Sequence, residues 1–108
     1  MQHIEKIKHR FLKNNLANCL GCIAANLARV KSFSGVANNE KAVNDLIEES
    51  KFFIEWTAPR ASLEIQEVLV NLQIQLAMWR YSRENEIIKL AQIWSNKILK
   101  LSGLLNEA

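Results

Sequence analysis

Between Leu63 and Tyr81 the apolar residues recur in two phases rather than one. Placed on a helix at about 100° per residue, Ile65, Val68, Leu69, Leu72, Leu76 and Trp79 form one stripe. Leu63, Val70, Ile74, Ala77, Met78 and Tyr81 form a second, roughly opposite. Glu64, Asn71 and Gln75 separate the stripes on one side; Gln66, Gln73 and Arg80 separate them on the other. Val70 to Leu76 also alternates as a strand would. The flanking Leu, Glu, Gln, Ala and Met residues favour helix, and no other stretch supplies a partner strand to satisfy its backbone. A helix with two apolar faces needs two covers, so the rest of the chain is expected to organise around it.

Before it, the pattern predicts a first helix from about Ile4 to Lys31. Its stripe slips: Ile4, Ile7 and Phe11 share one direction, while Leu12, Leu16, Leu20, Ile23, Leu27 and Val30 share another. A kink, a π-bulge or a mobile first turn would absorb such a shift. Ala17, Gly21, Ala24, Ala25 and Ala28 form a small-residue face suited to close helix packing. A second helix begins at Asn38 or Asn39, residues suited to capping, with Glu40 in its first turn. It carries Val43, Leu46, Ile47, Phe53 and Ile54 inward. Phe52 and Trp56 point away among acids and call for a cover. Thr57-Ala58-Pro59 ends it, and proline is tolerated where the next helix starts.

After Tyr81, Ser82-Arg83-Glu84-Asn85 is the expected turn into a last helix. That helix carries Ile87, Leu90, Ala91, Trp94, Ile98, Leu101 and Leu105 on its inner side. Because the turn lacks Gly and Pro, one continuous helix from Arg60 to Leu105 is the alternative. Four amphipathic helices with short connections read as an all-α, antiparallel four-helix bundle, a single domain over residues 1–108.

Composition changes this picture little. Three Gly and one Pro in 108 residues leave few turn signals, which favours long helices. No uncharged apolar run reaches about 18 residues, so no membrane span is expected. The basic start lacks an apolar core behind it, so no secretory signal is expected and the cytoplasm is the expected compartment. Charge is uneven. Residues 1–33 carry Lys6, Lys8, Arg10, Lys13, Arg29 and Lys31 against Glu5, net +5; residues 38–57 carry Lys41 and Lys51 against Glu40, Asp45, Glu48, Glu49 and Glu55, net −3. The two segments suit each other as antiparallel neighbours.

Candidate chemistry is sparse. Cys19-Leu20-Gly21-Cys22 is a CxxC within a helix, not at the helix start where redox pairs sit. His3 and His9 lie too far upstream to complete a four-ligand metal site, so these cysteines read as small packing residues. No catalytic constellation is present, and no cofactor or metal is expected. The basic patch Lys6, Lys8, Arg10 and Lys13 is suited to nucleic-acid phosphates, but no stacking aromatics accompany it.

His9-Arg10-Phe11-Leu12-Lys13-Asn14-Asn15-Leu16 resembles the phospho-acceptor helix of histidine kinases and phosphotransferases when one residue among Phe11 to Lys13 is skipped. The resemblance implies a phospho-acceptor role for His9, with Asn14 or Asn15 matching the family's asparagine. Phe52-Phe53-Ile54-Glu55-Trp56-Thr57-Ala58-Pro59, with Trp94-Ser95 and Leu101-Ser102-Gly103-Leu104-Leu105, resembles short uncharacterised cyanobacterial helical proteins, and implies no activity. The expected function is a small non-enzymatic interaction module, an adaptor or regulatory subunit, that homodimerises. Its contact would use Leu63, Val70, Ile74, Met78 and Tyr81, extended by Phe52 and Trp56. The alternatives are a nucleic-acid-binding helical protein and a degenerate histidine phosphotransfer domain.

Overall fold

The computed structural model describes residues 2–104, with the side chains of Gln2 and Arg80 excepted. It is all-α: α1 (Gln2–Phe11), α2 (Leu16–Phe33), α3 (Glu40–Thr57), α4 (Leu63–Met78) and α5 (Glu84–Ser102), with single 3-10 turns at Ala58–Arg60 and Trp79–Tyr81. Five helices stand where the apolar pattern predicts four, because the slip in the first stripe is a break. Asn15 takes an extended conformation and its side chain accepts the Asn18 amide, so α2 starts afresh with its own cap. Two phases of apolar residues thereby become two helices, each able to aim its stripe independently. Phe11 is buried and stacks on Phe53, ring centroids 4.2 Å apart, whereas Leu12 turns outward.

The most enclosed helix is α2, not α4. Cys19, Leu20, Ile23, Ala24, Leu27 and Val30 are buried along it, with α5 against one side and α3 against another. The small-residue face explains the close α5 contact. Ser95 donates a buried hydrogen bond of 2.8 Å to the Ala24 carbonyl. A Cβ at Gly21 would stand only 2.9 Å from the Leu104 side chain. Ala25 and Ala28, further round, stay exposed.

The expected charge match between the first two helical segments takes a different form. Both ion pairs among the described residues, Lys41–Asp45 and Lys51–Glu48, lie within α3. Across the α2–α3 contact a buried amide mediates instead: Asn26 donates to Glu49 and accepts from Arg29. An amide bridging an acid and a base satisfies all three groups without burying a bare charge.

Helix ends follow local chemistry. Asn39 is the α3 cap position but makes no side-chain cap bond, while Asn38 adopts a left-handed φ of 70°. Ser62 caps α4 by accepting the Ile65 amide. Gly103 ends α5 at φ 77°, a conformation open to glycine without strain. The alternative of one helix from Arg60 onward is excluded across the junction. Trp79–Tyr81 tightens into a 3-10 turn, and Ser82 and Arg83 are extended. Leu105, its proposed end, lies outside the described residues.

Because α1 docks chiefly through Phe11 with Ile7 beside it, Phe11→Ala is expected to detach the helix. Its cost should be about 3 kcal/mol, at the low end for a buried aromatic because the ordering entropy of a terminal helix is recovered. Hydrogen exchange should show α1 amides losing protection while those of α2 and α5 keep theirs.

Candidate functional site

One side of α4 is core: Leu69, Leu72 and Leu76 are buried, joined by Trp79 on the following turn. The other stripe has no cover. Relative exposures are 81% for Leu63, 55% for Val70, 53% for Ile74, 56% for Met78 and 83% for Tyr81. Ala77 is also exposed. The sequence expectation of two covers is therefore met by one, since α4 lies at the outside of the fold, with α3 as its principal helical neighbour. Large apolar side chains scattered singly need no explanation, but a contiguous stripe of this kind does.

A groove of about 480 Å³ runs beside the stripe, lined by Ile54, Ala58, Pro59, Val70 and Ile74 with Gln66, Gln73 and the exposed Glu55. Gln73 ties its floor to α3 by donating to the Lys51 carbonyl, while its own carbonyl oxygen is buried without a partner among the described residues. Gln66 reaches the Ala58 and Ala61 carbonyls, fixing the α3–α4 corner.

Phe52 and Trp56 do not extend this surface. They lie on the other flank of α3, where Phe11 of α1 covers Trp56 and Trp56 in turn covers Phe52. Trp56 packs near Phe11 (5.8 Å) and Phe53 (6.0 Å), and Phe52 stacks on Trp56 at 5.6 Å. The break after Phe11 supplies the aromatic that an unbroken first helix would have aimed elsewhere.

The cysteines are free and belong to packing. Cys19 is enclosed, and its sulfur lies 3.3 Å from an Arg60 guanidinium nitrogen; Arg60 also donates to the Asn14 carbonyl at 2.8 Å. Arg60 thus clamps the α1–α2 break to the α3–α4 corner, a role that nothing in the local pattern announced. Burial, then the neighbouring Cys19, pushes the Cys22 thiol above its ordinary pKa; Arg29 pulls the other way and Glu49 adds to the rise. A protonated thiol is a poor nucleophile. Its folded-state proton is held more tightly than the unfolded one, so this group withdraws stability as pH rises through the ordinary thiol range. Cys19→Ala with Cys22→Ala is expected to cost about 1 kcal/mol each and to keep the fold. Reductant and chelator should leave the thermal midpoint of the unaltered protein unchanged; unfolding by either would refute the packing role.

His9 is exposed on α1. The asparagines of its motif serve the break: Asn14 donates to the Phe11 carbonyl, and Asn15 caps α2. The two halves of the motif therefore lie on different helices. Lys6, His9, Arg10 and Lys13 border a shallow surface depression with Glu5, and Lys8 is half-buried beside them.

Sequence reasoning passed over the surroundings of Trp79. This buried indole forms part of the wall of a cleft of about 340 Å³ with Phe33, Val36, Asn39, Val43 and Ile87, and its N–H has no partner among the described residues. Among the described residues no group of three or more His, Cys, Asp or Glu is placed to hold a metal ion, and no helix is long and apolar enough to cross a membrane. Compared with known proteins, the chain matches no family model, no curated protein and no solved structure.

Proposed function

We propose that this protein is a small non-enzymatic interaction module, an adaptor or regulatory subunit, that self-associates through the outer face of α4. The observation that carries the reading is the uncovered stripe Leu63, Val70, Ile74, Met78 and Tyr81, continued by the apolar groove beside it. In this reading α2 to α5 act as an antiparallel four-helix bundle and α1 as an arm that closes the aromatic flank of α3. Water leaves apolar surface on contact, and this stripe is the largest alignment of exposed hydrophobic side chains on one helix. Two-fold pairing is the default for a small homo-oligomer. Sedimentation equilibrium at micromolar concentration should report a dimer; a monomer across that range refutes self-association.

The exposed Lys6, Arg10 and Lys13 support a second reading, binding to nucleic acid through α1. That binding would weaken steeply with salt, because phosphate contacts release counterions. Lys6→Glu with Arg10→Glu would abolish it while leaving the oligomeric state unchanged.

A further inference from the structure

The outer stripe of α4 contains one residue that the exposed hydrophobics do not explain. Leu63, Glu67, Val70, Ile74 and Ala77 on α4, and Tyr81 on the 3-10 turn that follows it, succeed one another at spacings of four, three, four, three and four, the seam of a two-stranded helical contact. All six are exposed. The seam is symmetric about position 72: 63 mirrors 81, 67 mirrors 77, and 70 mirrors 74. An acid thus occupies one inner position, and the smallest apolar residue of the seam occupies its mirror.

We propose, resting on the self-association read above, that the occupant of this face is a second copy whose α4 runs antiparallel. The two-fold axis passes midway between Val70 and Ile74. Glu67 of one copy then meets the partner's Ala77, Val70 meets the partner's Ile74, and Leu63 meets the partner's Tyr81. A parallel, in-register pair would press Glu67 against the partner's Glu67 inside an apolar seam, joining like-charge repulsion to loss of hydration. The antiparallel pair removes that contact, and the single methyl of Ala77 leaves the carboxylate a path to water at the seam edge.

Dipoles and area favour the same arrangement. Antiparallel pairing opposes the two helix dipoles. Leu63, Val70, Ile74 and Tyr81 in the seam, with Met78 beside it, present on the order of 600 Å² per copy, so a pair that covered all of it would bury about 1,200 Å², the lower edge of the range for stable specific interfaces.

Cross-linking tests the orientation, in a Cys22→Ala background with Cys19 left in place because it is enclosed. Chains carrying Glu67→Cys or Ala77→Cys, both at exposed positions, are made with different mass tags, mixed, re-equilibrated and oxidised. The expected product is the mixed disulfide alone, because in either pure dimer the two new thiols stand about 15 Å apart along the helices. Homotypic disulfides in the pure samples would overturn the antiparallel orientation while self-association stands. A sedimenting dimer with no disulfide of either kind would overturn the register. A monomer in sedimentation would overturn the self-association beneath it.

Discussion

Ile74→Glu is expected to give a folded monomer. Ile74 is half-exposed in the single chain, on the side of α4 turned away from Leu69, Leu72 and Leu76, so a carboxylate there is hydrated and the fold has no reason to unravel. In the paired state the same carboxylate would be held against the partner's Val70 without a counter-charge. Desolvating an unpaired charge costs several kcal/mol, more than a contact of this size can absorb. The dissociation constant should therefore rise by several orders of magnitude, with circular dichroism unchanged. Sedimentation of both proteins reads the outcome. Unfolding of the variant would place Ile74 in the core and reverse the assignment of the two faces. An unshifted dimer would move the contact to another surface.

The second large effect is expected at Trp79. This residue closes α4, lies on the 3-10 turn that separates it from α5, and is among the largest fully buried side chains. Trp79→Ala would leave a cavity beside Leu76 and Ile87, at a cost of about 4 kcal/mol, a large share of a small domain's stability. Trp79→Phe should cost only about 1 kcal/mol. It loses part of the ring but also removes a buried N–H that has no acceptor among the described residues, and discarding an unpaired buried donor offsets lost packing. Urea unfolding of the three proteins measures the difference. A loss for Trp79→Phe well above about 1 kcal/mol would mean that the indole N–H does find a partner.

These two predictions differ in how far the sequence anticipates them. The two stripes of α4 are legible directly, because a helix maps sequence spacing onto direction in a fixed way. The sequence does not show which stripe is covered. Leu69 and Val70 are neighbours of similar hydrophobicity, yet one is fully buried and the other half-exposed, because α3 approaches from only one side. Glu67 was readable as a surface acid, but its place within the outer seam mattered only once that seam proved uncovered. The orphaned N–H of Trp79 has no sequence signal at all.

The amino-acid sequence by itself determined the helical class and the apolar stripes, since each depends on local propensity and on the 3.6-residue period; of the small-residue face of α2 only Gly21 and Ala24 make close contacts, while Ala25 and Ala28 are exposed. It also marked the slip between Phe11 and Leu12, although Leu12, placed on the inner stripe of the second phase, turns outward. Tertiary structure decided that the slip is a break, because stacking Phe11 on Phe53 and covering Trp56 requires α1 to leave the axis of α2. It decided that Arg60 joins two corners far apart in the chain, and that Asn26 mediates between Arg29 and Glu49. It placed α2 at the centre and α4 at the outside. Burial is a property of how many neighbours arrive at a face, and no count of apolar residues along one segment contains that number.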